Sequence, residues 1–292
     1  MSPGQLERRA RRLLGLLVLI WGASWPITKV GVTAVPPLWF AGLRYLAGTV
    51  CVLVIVTLRR ELIVPSLSDW KLIIVSGVLQ MAVYSAFTSV ALTQLPPGRA
   101  SVLAFSTPVW VVPLSVWWLN EKVVWPGRVG VAAGLAGVVV IASPGLQPTV
   151  REHVIAYTLL MCAAIAWAVA IVYVRAHQFE ASPLALAPWQ MLVAASLLLA
   201  CATAVDGPLL SMTPRGLVSL AYVGPLATGF AYWAVVEVGR HLRATTISVT
   251  LLAVPSLGLL ISAITFHEAL NPSLLLGVTL IAAGVVLTTI ST

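Results

Sequence analysis

The second half of the chain repeats the landmarks of the first. Trp21, Pro37 and Leu38 recur as Trp167, Pro183 and Leu184, while Gly77, Pro108, Glu121, Gly130 and Gly137 recur as Gly224, Pro255, Glu268, Gly277 and Gly284. The offset is 146 from Trp21 to Trp167 and 147 from Gly77 to Gly224, so the two registers differ by one inserted residue. Apolar composition multiplies chance matches of Leu, Val and Ala. It does not produce an ordered series of Trp, Pro, Gly, Pro, Glu, Gly, Gly in a chain with nine acidic residues.

Of 292 residues, 60% are hydrophobic and 9% charged, more apolar surface than one soluble core hides. The bilayer is the solvent that fits. A crossing takes roughly 20 apolar residues, and ten such stretches are placed at 13–33, 38–58, 70–92, 98–119, 125–143, 154–175, 184–205, 215–238, 246–266 and 272–290. Turn residues separate them, as in Pro36-Pro37, Pro96-Pro97-Gly98, Ser143-Pro144-Gly145 and Asp206-Gly207-Pro208. The expected fold is therefore all-α and integral to the membrane, with five helices in 1–147 and five in 148–292, forming one transport domain.

The excess of 17 Lys plus Arg over 9 Asp plus Glu would suggest nucleic acid in a soluble protein. Its placement points to the lipid bilayer instead. With the N-terminus in the cytoplasm, Arg8, Arg9, Arg11, Arg12, Arg59, Arg60, Lys71, Lys122, Arg128, Arg175, Arg240 and Arg243 fall inside, against Lys29, Arg99, Arg151 and Arg215 outside. That bias places both termini in the cytoplasm. Arg8 to Arg12 before Leu13 to Ile20 resembles a signal peptide, but Trp21 belongs to the repeat, so the segment is read as the first helix.

An odd number of helices per repeat inverts the second half relative to the first. Inverted repeats place a substrate site between the halves near the midplane and open it alternately to the two sides. Pro108 and Pro255 sit at matching positions in the fourth and ninth spans, where each removes a helix hydrogen bond. They are the expected hinges, either as simple kinks or as breaks that line a cavity.

Ala100 to Pro108, Asn120-Glu121 and Gly130 to Val140, with their counterparts from Thr246 through Pro255 and His267-Glu268 to Gly284, resemble the EamA-type branch of the drug/metabolite transporter superfamily. The resemblance implies a ten-helix exporter of small metabolites in the bacterial inner membrane, its relatives including exporters of amino acids, aromatic ones among them. Gln190 stands where Arg44 would recur, so any role of Arg44 belongs to one half.

Glu121 and Glu268 suggest a proton relay, but both fall at span ends, where a carboxylate can accept from the first turn of the next helix. Glu237, three and four residues before Arg240 and His241, reads as part of a local surface cluster. Facilitated movement is then the simpler mechanism. Arg44, roughly 10 Å from the outer end of its span, and Lys29 have no acidic sequence neighbour. Each either snorkels or binds carbonyls, or one of them attracts a substrate carboxylate.

Gln80, Tyr84 and Thr88 share a helix face, and Thr228 and Tyr232 repeat the interval. Thr107 and Trp110 flank the proline break, and Trp167 lies midway along its span. These are the candidate cavity residues, the alternative for each being helix packing. The alternative substrate class is multidrug or quaternary-amine, since aromatic faces bind cations.

An enzyme is disfavoured by the lack of HExxH, GxSxG or paired core aspartates. Cys51, Cys162 and Cys201 lie in spans, and His153, His177, His241 and His267 lack ligand spacing, so no metal or cofactor is expected. The sequence leaves the oligomeric state open, and a monomer suffices.

Overall fold

The computed structural model describes residues 3–143, 151–177, 180–209 and 211–289, all-helical with no strand among them. The expected boundary between repeats at 147/148 and the Pro144-Gly145 turn lie outside the described residues.

The helices of the first half are α1 (Pro3–Ala34), α2 (Pro37–Leu58), α3 (Leu67–Val75), the π-helical stretch π1 (Ser76–Val83), α4 (Tyr84–Gln94), α5 (Pro97–Ala104), α6 (Thr107–Leu119) and α7 (Trp125–Ala142). Those of the second are α8 (Arg151–Ala176), α9 (Pro183–Val205), α10 (Pro214–Tyr222), π2 (Val223–Phe230), α11 (Ala231–Gly239), α12 (Ala244–Leu251), α13 (Ala253–Phe266) and α14 (Pro272–Thr289). Eight helical stretches are long and apolar enough to cross a membrane, and α13 and α14 are shorter apolar helices.

The helices begin where the sequence can satisfy or dispense with first-turn N–H groups. Pro37, Pro97, Pro183 and Pro214 stand at the starts of α2, α5, α9 and α10, where a missing N–H costs nothing. Ser66, Ser182 and Thr213 cap α3, α9 and α10 through their hydroxyls. Left-handed residues close several segments: Arg60 (φ 56°), Asn120 (φ 54°), Gly207 (φ 71°) and His267 (φ 53°).

These irregularities recur at the sequence offset of 147. Arg60 answers to Gly207 and Asn120 to His267, while π1 starts at Ser76 and π2 at Val223. In both π stretches the helix bond lengthens to five residues, Tyr84 N–H donating to Leu79 and Ala231 N–H to Leu226.

Close glycine contacts join the halves. A Cβ at Gly130 would lie 2.8 Å from the carbonyl oxygen of Gly284, and one at Gly137 would lie 2.7 Å from that of Gly277. Rising numbers on α7 meet falling numbers on α14, so the two helices pack antiparallel at backbone distance, as small residues permit in a membrane.

The stretches expected to cross at 98–119 and 246–266 are interrupted, α5 giving way to α6 at Phe105-Ser106 and α12 to α13 at Leu252. Pro108 therefore stands in the first turn of α6 rather than inside a continuous helix. Its missing N–H would have served the carbonyl of Ala104, which accepts from Thr107 Oγ1 at 2.9 Å instead. Val254 stands where Thr107 would recur.

Neither glutamate caps the helix that follows it in sequence. Asn271 Oδ1 accepts from Leu274 N–H at 2.9 Å at the start of α14, leaving Glu268 to another partner. Glu268 accepts instead from Gly98 and Arg99 N–H, both at 3.0 Å, in the first turn of α5. Glu121 leaves the start of α7 uncapped and bonds Arg175 at 2.6 Å. Glu237 contacts Arg240 at 3.4 Å and His241 at 3.6 Å, with Arg59 adding a third contact at 3.7 Å.

Candidate functional site

A cavity of about 320 Å³ lies between the halves, walled by α1, α2, α4, α8, α9 and α11, with both π stretches and the two helix breaks at its margin. Its size is at the low end of the roughly 300–1,000 Å³ usual for small-molecule sites.

Close packing of α2 on π2 positions its polar edge. A Cβ at Gly224 would lie 2.6 Å from Ala47 Cβ and one at Gly229 would lie 3.0 Å from the Gly48 carbonyl oxygen, so these glycines bring the two backbones together. Thr228, on π2, thereby meets Arg44 on α2: Arg44 Nε donates to Thr228 Oγ1 at 3.0 Å. The threonine hydroxyl in turn donates to the Val223 carbonyl at 2.8 Å, five residues back, a partner that the π geometry provides. The guanidinium carbon lies 5.3 Å from the centroid of the Tyr45 ring.

Arg44 is the one charged side chain lining the cavity among the described residues. No carboxylate among them lies within salt-bridge reach of it. Its positive charge therefore faces the cavity uncompensated by a protein anion.

Aromatic rings form the opposite character of the wall. Tyr84 and Trp167 meet edge to face with centroids 4.8 Å apart, and Trp25 meets Phe105 at 6.4 Å. Tyr232 lines the cavity and donates its hydroxyl to Gln190 Oε1 at 3.2 Å. Gln190 itself is buried, so the glutamine standing in the repeat position of Arg44 serves as an acceptor within the wall.

The structure brings seven of the sequence-selected residues together around the cavity: Arg44, Gln80, Tyr84, Thr88, Trp167, Thr228 and Tyr232. Three lie outside its lining. Lys29 Nζ donates to the carbonyls of Leu92 and Thr93 at 2.6 and 3.1 Å, at the end of α4. Thr107 is buried on the Ala104 carbonyl, and Trp110 Nε1 donates to Ser106 Oγ at 3.4 Å. The hinge prolines Pro108 and Pro255 also lie outside the lining, though Phe105 and Leu251, beside the two breaks, belong to it.

Sequence reasoning missed the face of α1. Trp21, Ser24, Trp25 and Thr28 line the cavity at spacings of three, four and seven residues from Trp21. Trp21 Nε1 also reaches across to the Ala227 carbonyl of π2 at 2.9 Å. The helical period was present in the sequence, but a membrane tryptophan also suits an interface and so masked it.

The EamA-like transporter family model matches the chain twice, over residues 12–143 and 154–290. The chain is 27% identical over 280 residues to the uncharacterized transporter YoaV of Bacillus subtilis, covering 95% of this chain and 96% of the relative. It is 26% identical over 293 residues to a probable amino-acid metabolite efflux pump of Escherichia coli, covering 96% and 94%. A crystal structure shares the fold with a TM-score of 0.68 at 21% identity, over 97% of this chain and 98% of that one. These matches and the long apolar helices describe a multi-pass bacterial inner-membrane protein that handles a small molecule within the lipid bilayer. The chain belongs to the EamA-like transporter family.

Proposed function

We propose that the protein exports small organic metabolites, amino acids and aromatic ones among them, from the cytoplasm by alternating access around the central cavity. The observation that carries this reading is a cavity that sets one cation, Arg44, against the aromatic rings of Tyr84, Trp167 and Trp25. A guanidinium suits a substrate carboxylate, and ring faces and edges suit a planar or aliphatic side chain. Arg44, Gln80, Tyr84, Thr88, Trp167 and Tyr232 are the substrate-contacting residues of this proposal. The names of the Escherichia coli and Salmonella typhimurium relatives, probable amino-acid metabolite efflux pumps, favour the same class.

The architecture of the proposal is ten crossings in two inverted repeats, with both termini in the cytoplasm. The double family match, the backbone irregularities spaced by 147 residues and the antiparallel contact of α7 with α14 support it. Movement is facilitated rather than driven by a carboxylate relay, a reading supported by the lack of an acidic side chain in the cavity lining among the described residues. The same observation weighs against the alternative of quaternary-amine export, for a cation would meet Arg44 with no counter-charge.

The test is uptake by liposomes holding the purified protein, measured for phenylalanine, tryptophan, threonine, a sugar and a quaternary amine. Saturable amino-acid uptake above that of empty liposomes is expected. Amino-acid fluxes equal to the empty control would overturn the substrate class, and saturation only by the amine would replace it with the alternative.

A further inference from the structure

The two ends of the protein hold matching residues in different pairings. At one end, the carboxylate of Glu268 is 7% exposed and takes the Gly98 and Arg99 N–H groups of α5 together with the Ser262 hydroxyl. A Cβ at Gly98 would lie 2.5 Å from Glu268 Oε2, so the missing side chain is what admits the carboxylate. The cap clamps α5 to α13, where Ser101 Oγ also reaches the Pro255 carbonyl at 3.5 Å.

At the other end, Glu121 is half-exposed and, among the described residues, makes no contact with α12. Its Oε1 bonds Arg175, whose second nitrogen reaches Ser115 Oγ at 3.3 Å. Ser115 and Glu121 stand 147 residues before Ser262 and Glu268, and Lys29 stands 146 residues before Arg175, the two offsets of the repeat. Lys29, for its part, is on the carbonyls of Leu92 and Thr93 rather than on a carboxylate. Packing comparable to that of α5 on α13 is not found between α6 and α12 among the described residues.

We propose that these are the two positions of one latch, and that Glu121 and Glu268 exchange them in each transport cycle. In the alternate state Glu121 leaves Arg175 and caps α12 at the N–H groups of Thr245 and Thr246, the counterparts of Gly98 and Arg99. Glu268 then leaves α5 and pairs with Lys29. The inference rests on the inverted-repeat carrier proposed above, in which the Glu268 end faces outward.

Physical chemistry favours one closed end at a time. First-turn N–H groups of a half-helix need an acceptor where water is excluded, and a carboxylate there also meets the positive end of the helix dipole. A half-exposed ion pair contributes little by comparison, so it holds the released carboxylate without trapping it. Because α5 with α6, and α12 with α13, are each one broken span, tilting α13 onto α5 draws α6 away from α12.

The test uses the full-length protein in lipid nanodiscs, with Cys51, Cys162 and Cys201 replaced by serine and spin labels placed in pairs. Gln94→Cys with Ala269→Cys reports the Glu268 end, and Lys122→Cys with His241→Cys reports the Glu121 end; all four native side chains are exposed. Loss of a helix cap is expected to change the ratio of the two states by about tenfold. Glu268→Ala should lengthen the first distance and shorten the second, Arg175→Ala should do the same, and Glu121→Ala should shift the ratio the opposite way. Combining Glu121→Ala with Glu268→Ala should return the ratio toward that of the parent.

Lengthening at the Glu268 end with no shortening at the Glu121 end would make Glu268 a static cap and overturn the exchange. If Glu268→Ala does not fold, the two variants at the half-exposed end decide, and unchanged distances in both overturn it. The distances are read without substrate. Static distances beside normal amino-acid flux would therefore sink the latch alone, and exchanging distances without that flux would sink only the substrate assignment.

Discussion

The ring of Tyr84 stands edge-on to the indole of Trp167, centroids 4.8 Å apart and planes at 72°, and the pair forms one wall of the cavity between the halves. Tyr84 comes from α4 and Trp167 from α8, so the wall exists only where the two halves meet. Trp167→Ala removes that wall. With an aromatic contact contributing about 0.5–1.5 kcal/mol, KM for phenylalanine should rise roughly two- to tenfold, with Trp167→Phe retaining most of the affinity. Liposome uptake, normalised to folded protein by size-exclusion chromatography, checks this; an unchanged KM would remove the pair from the substrate path.

Arg44→Met leaves the cavity with no charged side chain among its described lining residues. A hydrogen bond to a charged group contributes about 1.5–3 kcal/mol, so transport efficiency for phenylalanine should fall by roughly one to two orders of magnitude. Phenylalanine methyl ester, a cation with no carboxylate, should lose no efficiency in the variant. Equal losses for the acid and its ester would show that Arg44 supports the fold through Thr228 rather than holding substrate.

Thr107→Val should lower stability and spare transport. The hydroxyl serves the Ala104 carbonyl freed by Pro108, and a buried carbonyl left without its donor costs about 1–3 kcal/mol. Thermal unfolding in detergent should show a lowered midpoint, recovered in Thr107→Ser, while flux per folded molecule stays at the parent level. A change of substrate preference in Thr107→Val would instead place the residue on the pathway.

Gly137→Ala drives a methyl group to 2.7 Å from the Gly277 carbonyl oxygen, and backbone cannot swing aside as a side chain can. Overpacking of this kind costs about 1–3 kcal/mol, which should appear as a reduced midpoint of thermal unfolding. Gly15→Ala, with nothing within 4 Å of the new methyl, is the matched control and should not destabilise.

What the sequence disclosed followed the reach of its patterns. The four-residue interval of Gln80, Tyr84 and Thr88 is a property of one helix, so it pointed to the cavity without knowledge of any neighbour. The partners of Lys29 and Glu268 are not of that kind. Lys29 finds carbonyls at Leu92 and Thr93, and Glu268 finds N–H groups at Gly98 and Arg99, across a distance in sequence that periodicity does not span. Thr107 stands outside the lining for a local reason, because the proline beside it frees the Ala104 carbonyl that takes up its hydroxyl. The π stretches left no mark in composition; they became visible only as five-residue bonds at Tyr84 and Ala231.

The contact of α7 with α14 bears on how such a molecule can move. Gly130 lies on Gly284 and Gly137 on Gly277 with backbone against backbone, leaving no slack for one helix to slide along the other. A body that opens first on one side and then on the other needs a seam that stays shut, as a door needs its jamb. In the alternating-access carrier proposed above, the glycines supply that seam, and the other helices swing about it.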